Sequence, residues 1–175
     1  MDQQLKMEIA RSVQDLRLPH YQEIPSVGLF LDQTTKYISE YLTPLHGVEL
    51  TSSMISNYVK KGLIASPVKK QYSREQIAYL IFIAVTKSVM TLEEIQQLIG
   101  LQKLTYTPER AYEYFCRELE NVLFYVYGLK DHLDTVGVDH TDEKMLLRST
   151  IIAVAHKAYL SKCFAVMRDR ANDPS

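Results

Sequence analysis

The chain has 175 residues, of which 46% are hydrophobic and 23% are charged, and its formal net charge is −1. These proportions are ordinary for a globular protein and exclude extensive disorder. With only six glycines and six prolines, the composition favours helices over a turn-rich β-sheet protein.

Neither the start of the chain nor its apolar segments resemble a targeting or membrane-spanning sequence. The first residues, MDQQLKMEIARSVQ, lack the basic and then apolar pattern of a signal peptide. The longest apolar run, 77–85, has nine residues, about half of the roughly 18 that span a bilayer. We therefore expect a cytoplasmic protein without a membrane partner.

The first 42 residues are expected to form two helices. Residues 3–17 carry Leu5, Ile9, Val13 and Leu16 at spacings of three and four, which is the pattern of an amphipathic helix. Pro19 and Pro25 then break the chain. A second helix is predicted over residues 26–42, with Phe30, Tyr37, Ile38 and Tyr41 on one side.

The next predicted helix is capped by Thr51 or Ser52 and closes at Gly62, since glycine commonly follows a helix end. Residues 65–72, with a proline and two lysines, are expected to form an extended connection. The sequence Ser-Arg-Glu-Gln at 73–76 is a capping box.

The helix that this box opens is predicted to run to about Val89. Its apolar run has the periodicity of either a buried strand or a buried helix, and the cap and length favour a central helix. A second capping box begins at Thr91 and opens a short helix that is expected to stop at Gly100.

Two further helices are predicted in the C-terminal part. One starts at Thr107-Pro108, since proline suits the first helical position, and carries apolar residues as far as Leu133. The last begins at Asp139 or Thr141 and runs to about Arg168, with apolar residues at Met145, Ile152, Ala155, Tyr159 and Val166. The fold class is therefore all-α.

The basic residues are unevenly distributed. From Leu50 to Arg74 there is no Asp or Glu, whereas the other 15 of the 20 basic residues are outnumbered by all 21 acidic ones. A basic segment on an otherwise acidic molecule is typical of phosphate contact, although a solvated lysine-rich surface explains the charge equally well. The basic residues of this segment are Lys60, Lys61, Lys69, Lys70 and Arg74.

The predicted helix over 51–62 has two different sides. Its apolar side is made by Met54, Ile55, Tyr58 and Val59, and its polar side by Ser53, Ser56, Asn57 and Lys60. Short polar side chains allow close approach to base edges in the major groove, where Asn57 could pair with adenine. The alternative is an ordinary solvated helix face.

The order of elements from 51 to 100 resembles the DNA-binding segment of MerR-type regulators. That segment has a recognition helix ending in Gly-Leu, a basic wing closing on Tyr-Ser, a long helix and a short Leu-Glu-Glu-Ile helix. The matching residues are Ile55, Tyr58, Gly62, Leu63 and Ile64, then Tyr72 and Ser73, then Leu80 and Ile83, then Leu92, Glu93, Glu94 and Ile95.

This chain departs from the MerR pattern in three places. Ser56 stands where an arginine is usual, the wing is shortened to Lys-Lys-Gln-Tyr at 69–72, and the loop 43–50 is longer. The whole chain, including LPHYQEIP at 18–25, is also similar to the bacterial domain-of-unknown-function family 1836. That family implies no activity.

The MerR resemblance implies roles for further residues. Lys69 and Lys70 of the wing would contact phosphate, as would Lys60 and Lys61. Tyr58 would direct its hydroxyl towards the DNA backbone, although a core position is equally compatible with the helix pattern. The predicted DNA-binding residues are Ser53, Ser56, Asn57, Tyr58, Lys60, Lys61, Lys69, Lys70 and Arg74.

The C-terminal part is rich in aromatic residues. Six of them fall within 112–127, which indicates a helix covered on more than one side. Core and dimer interface are the favoured interpretation, and a pocket for an apolar or cationic effector is the alternative. The six are Tyr112, Tyr114, Phe115, Phe124, Tyr125 and Tyr127.

No catalytic motif stands out, and we expect neither a metal nor a cofactor. The sequence lacks a phosphate-binding glycine loop and a Gly-x-Ser-x-Gly motif. One acidic loop could ligate a divalent metal, but helix caps are favoured, and a metal-dependent enzyme is only a remaining hypothesis. The loop holds His132, Asp134, Asp139, His140, Asp142 and Glu143. For Cys116 and Cys163, buried free thiols are favoured over a disulfide.

The sequence as a whole predicts an all-α protein with two regions. Residues 1–100 hold the N-terminal helices and a MerR-like winged helix-turn-helix (core 51–100), and residues 101–175 form a helical oligomerisation or sensing region. The expected function is a homodimeric transcriptional regulator that binds double-stranded DNA and has no enzymatic activity, with a small-molecule effector as the alternative use of its aromatic C-terminal helices. The alternative is a protein-interaction module that keeps the fold without binding DNA.

Overall fold

The computed structural model describes residues 2–172, and helices dominate this part of the chain. The prediction of an all-α fold is therefore confirmed, with one very small sheet added. The helices are α1 (Gln3–Arg11), α2 (Leu31–Leu42), α3 (Ser52–Lys60), α4 (Arg74–Thr86), α5 (Leu92–Thr105), α6 (Pro108–Val126) and α7 (Asp142–Asn172). The strands are β1 (Leu29–Phe30) and β2 (Gln71–Tyr72), and a 3₁₀ turn covers Tyr21–Glu23.

Most predicted helix starts are confirmed by their caps. The Thr51 hydroxyl accepts a hydrogen bond from the Met54 amide at 3.2 Å, which closes the first turn of α3. The capping boxes that begin at Ser73 and Thr91 are both formed, and Pro108 occupies the first turn of α6. These local interactions set the starts of four helices.

Helix α4 is the central element of the core. Nine of its 13 residues are buried, and it packs against α2, α6 and α7. The choice of a buried helix over a strand is confirmed. One hydrophobic core extends from Leu5 to Val166, and the expected boundary near residue 100 falls within α5. The division into two regions stays a prediction.

Helix α2 starts later than predicted because the preceding residues form β1. Strand β1 pairs antiparallel with β2, with Leu29 opposite Tyr72 and Phe30 opposite Gln71. Gly28 permits this approach, since a Cβ there would lie only 2.6 Å from Cβ of Gln71. Phe30 was expected on the apolar side of a helix, and it is instead 48% exposed.

Three other predicted bounds were wrong. Helix α1 ends at Arg11 rather than at residue 17, although Val13 and Leu16 are buried in the turns that follow. Helix α5 continues through Gly100, where the backbone has no need for a positive φ. Helix α6 ends at Val126, before a glycine with φ +75°, and leaves Leu133 outside it.

Helix α7 has 31 residues, and its inner face packs against α1, α4, α5 and α6. Two residues of the predicted apolar face, Met145 and Ile152, are exposed instead. By length and composition alone α7 could cross a membrane, a property that core helices of soluble proteins share. Its inner face is made by Leu147, Ile151, Val154, Ala155, Ala158, Cys163, Ala165 and Val166.

Candidate nucleic-acid interface

Helix α3 is held in place by its apolar side. Ile55 is fully buried and Tyr58 is nearly so, while Met54 and Val59 pack against the same core. At the C-terminal end Gly62 adopts φ +71°, and the Leu63 amide donates to the Tyr58 carbonyl at 2.9 Å. The helix is therefore anchored along its back and at both ends.

The opposite side of α3 faces solvent. Every predicted residue of this face is exposed, so the amphipathic pattern correctly assigned the outward side. The Ser56 hydroxyl donates to the Ser52 carbonyl at 2.9 Å, which turns it back towards the helix. The exposed residues of this face are Ser53, Ser56, Asn57, Lys60 and Lys61.

The segment 50–74 contains no acidic residue, but the fold places an acidic residue of α2 beside it. The Ser52 hydroxyl donates to a carboxylate oxygen of Asp32 at 3.1 Å, so α2 places a negative charge beside the start of α3. This position suits the positive end of the helix dipole. Negative charge therefore lies at the N-terminal end of α3, and Lys60 and Lys61 lie at its C-terminal end.

Two predicted DNA-contacting residues serve the fold instead. Tyr58 is 3% exposed, and burial raises the pKa of its hydroxyl, so its ring belongs to the core. The Arg74 guanidinium donates to the Ile24 carbonyl at 2.8 Å and to Gln22 Oε1 at 2.7 Å, and it stacks 5.8 Å from the Tyr21 ring centroid. The sequence could not reveal these partners, because they lie about 50 residues away.

Lys69 and Lys70 form the tip of a two-residue hairpin, here called the lysine turn. Val68 pairs with Gln71, and the Gln71 amide donates to the Val68 carbonyl at 2.9 Å. Lys69 has φ +50° and Lys70 has φ +65°, which is the backbone of a type I′ turn. Asparagine and glycine are favoured at such positions, so two exposed lysines there are conformationally unfavourable.

The base of the lysine turn is tied to α4 and β1. The Gln76 amide side chain donates to the Ala65 carbonyl at 2.8 Å, and Tyr72 is buried. Two apolar residues beside the turn, Phe30 and Val68, are exposed and were not predicted as surface residues of the site. In the sequence, the exposed apolar position is indicated only by a single valine, Val68, directly before Lys69 and Lys70.

Aromatic residues of α6 line a narrow apolar cavity between α4, α5 and α6, with a volume of about 40 Å³. Tyr112 and Phe115 contribute to it together with Tyr79, Phe82 and Tyr106. Lys103 lies at its rim, 4.8 Å from the Tyr79 ring centroid. Of the six aromatics predicted to be covered, only Tyr125 is exposed.

The acidic loop does not converge on a metal site within residues 2–172. Asp139 accepts from the Tyr106 hydroxyl at 2.5 Å and pairs with Lys144 at 3.2 Å, while Asp134 pairs with Lys130 at 2.6 Å. These carboxylates hold the loop between α6 and α7. Cys116 and Cys163 are buried and free, as predicted.

The fold and the site define a helical protein that exposes a short polar helix and a lysine-tipped hairpin. Residues 19–115 match the family described as "Domain of unknown function (DUF1836)", and the protein belongs to that family. No curated protein and no solved structure matches the chain.

Proposed function

We propose that the protein is a DNA-binding transcriptional regulator that reads the major groove of double-stranded DNA with α3. The observation that carries the proposal is the exposed side of α3, whose own residues include no acid, on a helix whose back is buried; the neighbouring Asp32 lies only at its first turn. Most exposed helix faces mix both signs of charge, whereas this one offers only short polar side chains and lysines.

The contacts are assigned by side-chain chemistry. Asn57 is suited to a bidentate pair with adenine, and the short side chains of Ser53 and Ser56 let the helix approach base edges. Lys60 and Lys61, at the end away from Asp32, are suited to phosphate. In this docking, base reading concentrates in the middle of α3 and phosphate contact at its C-terminal end.

The lysine turn supports the proposal independently. A left-handed backbone costs about 1 kcal/mol for a residue with a Cβ, and backbone strain is characteristic of functional sites. Two lysines kept in a turn that favours Asn-Gly indicate that their charges are needed there. We assign Lys69 and Lys70 to phosphate beside the groove.

The order α3, hairpin, α4 and α5 is the order expected of a MerR-like winged helix-turn-helix, which we propose for residues 51–100. One short helix reads only a few base pairs, so we propose a homodimer on a two-fold site. The protein is then cytoplasmic and has no enzymatic role. For a small-molecule effector we propose the aromatic residues beside α4 and α6, where the cavity of about 40 Å³ would have to widen to admit it.

The test is selection of bound sequences from random duplex DNA, repeated with two variants. Asn57→Ala should relax the preference at one base pair of each half-site, and Lys60→Ala should weaken binding to all sequences alike. With about four phosphates per protomer, the log–log salt slope of the dimer should be roughly −7. No salt-sensitive DNA binding at low ionic strength contradicts the proposal.

A second candidate is a protein-interaction module that has the fold without the DNA contacts. Asp32 beside α3, the internal role of Arg74 and the exposed Phe30 and Val68 favour it. In that case binding of a purified protein partner should protect Lys60 and Lys61 from amine labelling, and duplex DNA should not.

A further inference from the structure

The outer face of α7 is apolar although nothing covers it among residues 2–172. Four large side chains on this face are between 43% and 59% exposed. Apolar helix faces are normally buried, and a patch of this length on a monomer marks an interaction surface. The residues, here called the α7 stripe, are Leu146, Ser149, Ala153, His156, Leu160, Phe164 and Met167.

The side chains of the α7 stripe differ in size between its two halves. Its N-terminal half carries the small residues Ser149 and Ala153 and forms one wall of a groove whose other wall is α5, with Leu101. Its C-terminal half carries Leu160 and Phe164, which project from the helix. A groove and a ridge thus lie on the same face, about 16 Å apart along a helix that rises about 1.5 Å per residue.

We propose that the α7 stripe is a dimer interface in which α7 packs antiparallel against α7 of a second copy of this chain. The two-fold axis passes between His156 and Lys157. Each small residue then meets a large one, with Phe164 of one copy over Ser149 of the other and Leu160 over Ala153. Met167 meets Leu146 at the ends, and each contact occurs twice, as a two-fold interface requires.

A parallel arrangement fits these residues badly. It would place Phe164 against Phe164 and leave the small residues Ala153 facing each other, although cores alternate large and small side chains.

The exposed area of the α7 stripe is large enough for an interface with a second copy of the chain. The stripe, Lys157 and Leu101 make nine side chains, most of them about half exposed, and offer on the order of 600 Å² per copy. Both copies together bury roughly 1,000 Å², the amount that marks a specific interface. The inference rests on the homodimer of the proposed function and assigns its interface, and it is tested separately because the dimer can form whether or not the protein binds DNA.

The first experiment is sedimentation of the full chain at micromolar concentration. The wild type is expected to be a dimer, and Phe164→Glu is expected to weaken dimerisation at least about 100-fold, since each interface would bury two unpaired charges. Val138→Glu is the matched control, because Val138 is 92% exposed and lies on the loop before α7. It should leave the dimer intact, and circular dichroism should show that both variants keep the wild-type helicity.

The second experiment tests the direction of the pairing. Ser149→Cys and Phe164→Cys are made separately and treated with a short bis-maleimide, alone and mixed. The antiparallel arrangement gives a cross-linked dimer only in the mixture, and the wild type gives none because Cys116 and Cys163 are buried.

Three outcomes overturn the inference: a monomeric wild type, a Phe164→Glu variant that stays dimeric, or cross-linking of Phe164→Cys to itself. These results are separable from those on DNA. A stable dimer that binds no duplex contradicts the proposed function and leaves the interface standing. A monomer that binds duplex DNA contradicts the interface and the proposed homodimer, and leaves DNA binding by α3 standing.

Discussion

The Nε atom of Arg148 lies 2.7 Å from a carboxylate oxygen of Glu118, whose side chain is only 1% exposed. Asn121 donates to the other carboxylate oxygen at 3.0 Å and also to the Asp134 carbonyl at 3.0 Å. The pair therefore joins α6 to α7, and Asn121 extends the network to the loop between them.

Replacing Arg148 by methionine should destabilise the protein strongly, because it leaves the Glu118 carboxylate buried without its partner. Breaking a buried pair in this way costs about 3–5 kcal/mol, and the half-exposed position of Arg148 places the expected loss at the lower end. Urea unfolding monitored by circular dichroism measures it.

Arg110→Met is the control for this loss. Its guanidinium lies 3.8 Å from Asp139 and is 68% exposed, so solvent screens the pair and its loss should hardly change the free energy of unfolding. Equal losses in the two variants would show that burial of Glu118 has no special weight.

Gly28→Ala should separate β1 from β2. The added Cβ would lie 2.6 Å from Cβ of Gln71, and strand backbone cannot give way as a flexible side chain can. We expect a melting temperature several degrees lower and a weaker affinity for duplex DNA, because β2 carries the lysine turn. Thermal unfolding and fluorescence anisotropy measure the two effects.

Gly100→Ala is the matched control for Gly28→Ala. Gly100 lies within α5, and a Cβ there meets open space. Alanine in a helix interior is about 0.5–1 kcal/mol more stable than glycine, so this variant should gain stability. The interpretation of β1 fails if both glycine variants behave alike.

The lysine turn should show opposite effects on stability and on binding. Lys69→Asn combined with Lys70→Gly suits a type I′ turn and should raise the free energy of unfolding by about 1 kcal/mol. It also removes two phosphate contacts per protomer, so the salt slope of a dimer should become shallower by about 4.

Lys69→Gln combined with Lys70→Gln separates charge from backbone strain at this turn. It removes the same charges and keeps side chains in the left-handed conformation, so it should lose affinity without gaining stability. A gain in stability equal to that of the Asn-Gly variant would contradict the role of strain.

Asp139 should make stability fall in acid. The hydrogen bond from the Tyr106 hydroxyl, aided by Lys144, lowers the pKa of Asp139 from 3.8 to about 2. Because the pKa is lower in the folded state, this stabilisation is present above about pH 4 and is lost as the pH falls towards about 2.

Asp139→Asn should therefore flatten the dependence of the melting temperature on pH between about 4 and 2. Thermal unfolding of the wild type and the variant across this range measures the effect. A pH dependence unchanged by the substitution would show that other carboxylates control acid unfolding.

Local chemistry made much of the fold predictable. The caps at Thr51, Ser73 and Thr91 act within three residues, and helical periodicity acts within about seven, so a short window of sequence contains the complete signal. The outward side of α3 was predictable for the same reason, since it follows from which residues are apolar.

Other features arise only when distant segments pack together. Strand β1 forms because Leu29 pairs with Tyr72. Arg74 is held by a hydrogen bond to the Ile24 carbonyl, and Asp32 accepts a hydrogen bond from Ser52. No periodicity connects partners that are 20 to 50 residues apart. The pattern of apolar and polar residues thus determined the helices and the exposed face of α3. Only tertiary packing decided which basic side chains remain available to a ligand. Arg74 is hydrogen-bonded within the protein because the fold brings Ile24 and Gln22 within reach, whereas Lys60 and Lys61 remain exposed.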